Sequence, residues 1–196
     1  MNNELLINEI EYYQFYLSKA IAQVYINEKL CDFHDNLESQ FNLFSNSLTE
    51  ISSALLLSQR MILCDIFIYD RDSKNIYKLL NKLDSTKIVS ERAIDIKIKE
   101  IAKNLKSVVE MQADNIAFLK KYRNNVFAHW GTGFFENDWR ENFPNQYPCD
   151  FIAVVELAVK AFDALTQILL LLKWIPIDRA KMTPSDIDEL IKKISN

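Results

Sequence analysis

The residues with the clearest chemical potential lie in the segment KKYRNNVFAH, residues 120–129. Lys120, Lys121 and Arg123 place three cations close together in a chain whose net charge is −4, which makes a local basic spot suited to a phosphate. His129 follows them. An imidazole exchanges protons near neutral pH, whereas a guanidinium stays charged and matches phosphate oxygens. Arg123 and His129 therefore predict acid and base chemistry on a phosphodiester.

The spacing of Arg123 and His129 limits how they can act together. Successive residues of a regular α-helix are about 100° apart around its axis, so residues six apart point in different directions. Either the helix ends or distorts between them, which Gly131 and the following loop would allow, or the motif meets its copy across a two-fold dimer. We favour the dimer, in which both copies of the motif surround one site.

The elements that must position this motif are helical. Two glycines and four prolines in the whole chain leave few of the tight turns that a many-stranded sheet needs. Apolar residues recur at alternating steps of three and four in four long segments, which predicts an all-α fold with four long helices in a bundle. The second segment is long enough to suggest a break near Ser45 to Ser47. The four stripes follow residues 6–24, 37–69, 94–122 and 151–172.

Two short accessory helices complete the predicted fold. The first covers Asn75 to Leu83 and follows a polar stretch. The second begins near the C-terminus, where Thr183, Pro184 and Asp186 provide a cap, a first-position proline and a first-turn acid. Because no internal repeat or flexible linker is visible, the whole chain, residues 1–196, is expected to form a single domain.

Composition argues against several classes of function. A net charge of −4 is unsuited to coating nucleic acid or an anionic membrane through bulk charge. Three widely spaced cysteines without a CxxC pair predict neither a disulfide framework nor a zinc site, and no carboxylate spacing builds a di-metal site, so no metal or cofactor is expected. The N-terminus lacks the pattern of a signal peptide, and charged residues interrupt the most apolar segment. We therefore expect a cytoplasmic protein without membrane contact.

The segment RNNVFAH, residues 123–129, resembles the signature of the HEPN superfamily, in which an arginine and a polar residue precede a histidine by a few positions. Arg123, Asn124 and His129 match the three defining positions. The sequence is most similar to the abortive-infection branch, in which a phrase such as RDKxFAH closes the third helix of an all-α bundle. The residue-level match covers Tyr122 to His129.

This resemblance implies a homodimer with a composite cleft and metal-independent RNA endonuclease activity that leaves a 2′,3′-cyclic phosphate. In that scheme His129 activates the ribose 2′-hydroxyl or protonates the leaving group. Arg123 stabilises charge on the scissile phosphate, and Asn124 positions the substrate or orients a catalytic side chain. Such a protein would act in a prokaryote as a toxin or abortive-infection effector in antiviral defence, restrained by an antitoxin or by a regulated state.

Other interpretations stay open from the sequence. A catalytically inactive HEPN-like bundle could serve as a protein-interaction or nucleotide-binding module, and an antitoxin or immunity partner is a third alternative. Lys120 and Lys121 are expected either to contact RNA or to form a solvated helix edge, since cations near a helix C-terminus favour its dipole.

Overall fold

Every regular element in the described part of the chain is an α-helix, which confirms the predicted all-α class. The computed structural model of this chain describes residues 3–36, 42–70, 74–126 and 151–174. The helices in these residues are, in chain order, α1 (Asn3–Asn36), α2 (Asn42–Phe67), α3 (Ile76–Ser85), α4 (Arg92–Met111), α5 (Ala113–Val126) and α6 (Phe151–Leu171).

Helix α1 packs against both α2 and α6 through one apolar stripe. Two glutamines extend these contacts with polar bonds: Gln14 Nε2 donates to Thr166 Oγ1 on α6 at 2.7 Å, and Gln23 Nε2 donates to Ser58 Oγ on α2 at 2.9 Å. Burying each large apolar side chain of the stripe stabilises the fold by about 2 kcal/mol. The buried stripe follows the predicted spacing and consists of Leu6, Ile10, Tyr13, Leu17 and Ala20.

Helix α2 is continuous from Asn42 to Phe67, so the expected break near Ser45 to Ser47 is wrong. Serine lowers helix propensity only slightly and removes no backbone donor, so three residues rich in serine do not end a helix whose later turns are buried. The later turns bury Ile62, Leu63, Cys64, Ile66 and Phe67.

The third predicted helix is divided into two, and the expectation that it continues as one helix is wrong. Gln112 adopts φ −98° and ψ 18° between α4 and α5, and its N–H donates to the Val109 carbonyl at 3.1 Å. The break lets the two helices take different neighbours: α4 packs against α3 and α6, whereas α5 packs against α2 and α6. Arg123 therefore belongs to a separate short helix.

Buried polar side chains hold the chain on both sides of α3. Asn75 is fully buried; its Oδ1 accepts from the Lys78 N–H at 3.2 Å, and its Nδ2 donates to the Asp70 carbonyl at 3.0 Å. Beyond α3, Asp95 Oδ1 accepts from the Ile88 N–H at 2.7 Å. The predicted short helix from Asn75 is confirmed, with Asn75 as its N-cap.

Helix α6 confirms the last predicted long helix and ends in a Schellman turn. The Trp174 N–H donates to the Leu169 carbonyl at 2.9 Å, and the Lys173 N–H donates to the Leu170 carbonyl at 3.0 Å. Lys173 takes the left-handed conformation, φ 57°, that glycine usually supplies. The indole Nε1 of Trp174 then donates to Glu11 Oε1 at 2.7 Å, which ties this end of α6 to α1.

Within the described residues, no helix is both long and apolar enough to cross a membrane. The second accessory helix, predicted to begin at Thr183, lies outside the described residues.

Candidate functional site

Arg123 lies in the last turn of α5, on the side of that helix that contacts α2. One turn earlier on the same face, the Leu119 carbonyl accepts a hydrogen bond from the buried Cys64 thiol of α2 at 3.5 Å. Asp65 follows Cys64 directly, and its carboxylate interacts electrostatically with the Arg123 guanidinium. The α2 and α5 contact therefore brings an anion and a cation together at the edge of the bundle.

The charges of Asp65 and Arg123 influence each other without cancelling. Partial burial raises the pKa of the Asp65 carboxyl above its ordinary value, and the neighbouring guanidinium opposes that rise. Asp65 nevertheless keeps contact with solvent, and Arg123 is half-buried. Arg123 thus presents a permanent positive charge that a solvent-borne phosphate can approach, with its stem held against the bundle.

The residues flanking Arg123 add polar and cationic groups. Arg123 Nε donates to Asn124 Oδ1 at 3.4 Å, so the structure brings these two predicted site residues together. Lys120 and Lys121 are both exposed. At about 100° per residue, Lys120 lies about 60° from Arg123 around the helix, whereas Lys121 lies about 160° away. Lys120 is therefore the better placed of the two for a phosphate bound at Arg123.

His129, the predicted acid and base, lies outside the described residues, together with the rest of residues 127–150. Of the predicted site, the structure accordingly describes Lys120, Lys121, Arg123 and Asn124, and it brings only Arg123 and Asn124 into direct contact. The composite dimer cleft stays a prediction, as does the geometry of the imidazole.

A pocket next to Asp65 was not predicted from the sequence. It occupies about 100 Å³ between α1 and α2, and we call it the tyrosine pocket. The ring centroids of Tyr12 and Tyr16 are 4.7 Å apart, and Tyr13 meets Tyr12 edge-on at 5.5 Å. The Lys74 ammonium lies 5.4 Å from the centroid of the Tyr12 ring. The complete lining is Tyr12, Tyr13, Tyr16, Ile62, Asp65, Ile66 and Lys74.

The hydroxyl of Tyr13 is buried without a hydrogen-bond partner among the described residues, although the side chain is only 1% exposed. Burial raises the pKa of Tyr13 far above its ordinary value, with smaller contributions from Glu9 and Tyr12. Burial also raises the pKa of Tyr12, assisted by Tyr16 and Asp65. Both phenols therefore stay neutral at physiological pH and can donate as well as accept hydrogen bonds.

One sequence signal could have pointed to this pocket. The segment EYYQFY, residues 11–16, places Tyr12 and Tyr16 four residues apart, hence on the same helix face, with Tyr13 beside them. No sequence signal indicated that Asp65 lines the pocket, because its position there depends on how α1, α2 and α5 pack.

Two further features of the described residues bear on function. Among them, no group of three or more histidine, cysteine or acidic residues is arranged to hold a metal ion. A wider groove of about 520 Å³ runs between α4 and α6, away from Arg123, and is open to solvent. It is lined by Lys97, Glu100, Ile101, Asn104, Gln167, Leu170 and Leu171.

Known protein families, curated proteins and solved structures were compared with this chain. None of the three comparisons gives a match. The resemblance to HEPN proteins therefore depends on residues 122–129 of the sequence and stays a prediction.

Proposed function

We propose that this chain is a metal-independent RNA endonuclease that acts as a homodimer, with Arg123, Asn124 and His129 from each copy around one cleft. One copy of His129 takes the proton of the ribose 2′-hydroxyl, and the 2′-oxygen attacks the adjacent phosphorus. The bond to the 5′-oxygen breaks, and the second copy of His129 returns a proton to that oxygen. The products are a 2′,3′-cyclic phosphate and a 5′-hydroxyl. A toxin or abortive-infection role under control of an antitoxin fits this activity.

The observation that carries the proposal is the environment of Arg123. Arg123 is half-buried, and its Nε donates to Asn124 Oδ1 at 3.4 Å in an exposed hydrogen bond. Lys120 adds an exposed cation on the neighbouring part of the helix surface. A fixed charge of this kind stabilises the negative charge that develops on a phosphate during the reaction.

Cleavage of a labelled single-stranded RNA in excess EDTA tests this proposal. We expect the wild-type chain to release ends that carry a 2′,3′-cyclic phosphate. His129→Ala should lower the rate by about 10²- to 10⁴-fold, because it removes the general acid and base. Arg123→Ala should lower it by about 10²- to 10³-fold, because it removes a preorganised charge.

A matched control is Arg92→Ala, which removes an exposed guanidinium from the start of α4. α4 contacts the C-terminal part of α6, whereas α5 contacts Phe151 at the other end of α6, so Arg92 is remote from the site. This variant should keep the wild-type rate. Cleavage that survives in both site variants, or that disappears with EDTA, contradicts the proposal, provided that circular dichroism shows each variant folded.

One observation favours a second candidate, a catalytically inactive bundle that acts as an interaction module. The interaction between Arg123 and Asp65 is also what a purely structural ion pair between α5 and α2 would provide. Because both groups retain solvent contact, such a pair would contribute only about 0.2–1 kcal/mol. No cleavage by any form, combined with equal destabilisation in Arg123→Ala and Asp65→Asn, would favour this candidate.

A further inference from the structure

We propose that the tyrosine pocket binds the base edge of a cytidine in the RNA strand, and thereby directs cleavage to cytidine-containing sites. This inference rests on the proposed ribonuclease function, since it assigns a base preference to that same site.

The buried hydroxyl of Tyr13 is the first argument that the pocket receives a ligand. A buried polar group without a partner is destabilising, and natural proteins keep few of them. Gln14 and Gln23 also have unpartnered side-chain oxygens among the described residues, but each amide nitrogen makes a hydrogen bond, to Thr166 and Ser58 respectively. Tyr13 differs, because its side chain is part of the lining of the tyrosine pocket, and a small movement of the ring would bring the hydroxyl to a polar ligand there.

The composition of the lining is the second argument. Three tyrosine rings and two isoleucines provide flat and apolar surface, and single-stranded RNA is commonly recognised by bases that leave their stack and lie on aromatic rings. A volume of about 100 Å³ suits the edge of a single-ring base better than that of a fused purine. The pocket therefore favours a pyrimidine.

The polar groups of the lining distinguish cytosine from uracil. Asp65 offers a carboxylate, which accepts a hydrogen bond from the 4-amino group of cytosine but repels the 4-oxygen of uracil. Once the Tyr13 ring moves toward the pocket, its hydroxyl and the ammonium of Lys74 are donors for the two remaining acceptors of cytosine, its ring nitrogen N3 and its 2-oxygen. All three groups find complementary partners on one base.

The position of the pocket connects it with the proposed chemistry. Asp65 lines the pocket and interacts electrostatically with Arg123. A base seated against Asp65 consequently brings the phosphate of its own nucleotide toward the guanidinium. Asp65 is therefore the residue that links base recognition to cleavage.

Binding of oligocytidylate and oligouridylate to the His129→Ala variant of the full chain, followed by fluorescence anisotropy, separates recognition from cleavage. We expect oligocytidylate to bind at least about tenfold more tightly, the factor that a hydrogen bond to a charged group provides. Adding Tyr13→Phe should weaken oligocytidylate binding by several-fold while raising the melting temperature, because it removes an unpartnered buried hydroxyl. Adding Asp65→Asn should abolish the preference for cytosine, because an amide can also donate to uracil.

Tyr25→Phe is the matched control, since Tyr25 lies on the same helix but not in the lining of the pocket. It should leave both affinities unchanged. Equal binding of the two oligomers, or a preference that survives Asp65→Asn, overturns the inference. The cleavage assay reports separately: wild-type protein that cuts both homopolymers equally refutes the base preference alone, whereas wild-type protein that cuts no RNA refutes the proposed nuclease.

Discussion

The buried N-cap of α3 allows a prediction that connects stability with the tyrosine pocket. Asn75 is fully buried, and its side chain bonds the backbone on both sides: its Oδ1 accepts from the Lys78 N–H, and its Nδ2 donates to the Asp70 carbonyl. Lys74, which lines the pocket, is its immediate neighbour. Asn75→Ala removes both bonds and the constraint they place on this turn. We therefore expect the variant to lose stability and to weaken ligand binding in the pocket.

The magnitude follows from the two bonds. Loss of an N-cap costs about 1 kcal/mol, and loss of the second buried bond costs about 1 kcal/mol more. A total of about 2 kcal/mol corresponds to a decrease of about 4–8 °C in melting temperature for a chain of this size. In urea, the midpoint should fall by about 1 M without a change in the slope.

Asn75→Ser provides the matched comparison, because serine keeps a capping acceptor without adding a charge but has no amide to donate to Asp70. It should cost about 1 kcal/mol, half the effect of alanine. Ser85→Ala, at an exposed position of the same helix, should cost less than about 0.5 kcal/mol. Unfolding of Asn75→Ala at the wild-type midpoint, or a serine variant as unstable as the alanine variant, would contradict this prediction.

Two further predictions concern residues outside the proposed site. Lys173→Gly should stabilise the chain by about 0.5–1 kcal/mol in urea unfolding, because glycine takes φ 57° without steric conflict. Lys173→Ala is the control and should have no effect. An equal gain in stability for the alanine variant would contradict this prediction. Hydrogen bonds from the Ile88 N–H and from Lys99 hold the pKa of Asp95 below its ordinary value. Asp95 therefore contributes stability above the ordinary carboxyl pKa that is lost as the pH falls through its lowered value, and urea midpoints from neutral pH to about pH 2 should fall less steeply in Asp95→Asn. Parallel profiles for the wild type and Asp95→Asn would contradict that assignment.

The sequence predicted those parts of the fold that depend on local pattern. The stripe of α1 and the short helix predicted from Asn75 are local features, because hydrophobic periodicity acts within a few residues. The break at Gln112 was missed, because glutamine is a good helix former and nothing in its neighbours ends a helix. Tertiary packing sets the position of this break instead, because α5 turns toward α2, where the Cys64 thiol donates to the Leu119 carbonyl.

In the candidate site, too, residues within a local motif could be predicted, whereas residues brought in by packing could not. Arg123 and Asn124 are recognisable because a short motif contains them. Asp65 is not recognisable from the sequence, because it is distant from Arg123 along the chain. Only the contact between α2 and α5 allows the two residues to interact. The three tyrosines stand close together in the sequence, but only the packing of α1 on α2 shows that they line a pocket.

The tyrosine pocket brings together features that stability alone would not select. Deleting the Tyr13 hydroxyl would remove a buried group without a partner, and replacing Asp65 with an apolar residue would remove the desolvation that raises its pKa. Both residues line the same pocket, and Asp65 also interacts electrostatically with Arg123. Polar groups that destabilise the free protein in this way are expected where a site recognises a ligand, because the ligand supplies the missing hydrogen-bond partners. A structural ion pair explains Arg123 and Asp65 but not the hydroxyl, whereas a base-binding pocket beside a phosphate site explains all three.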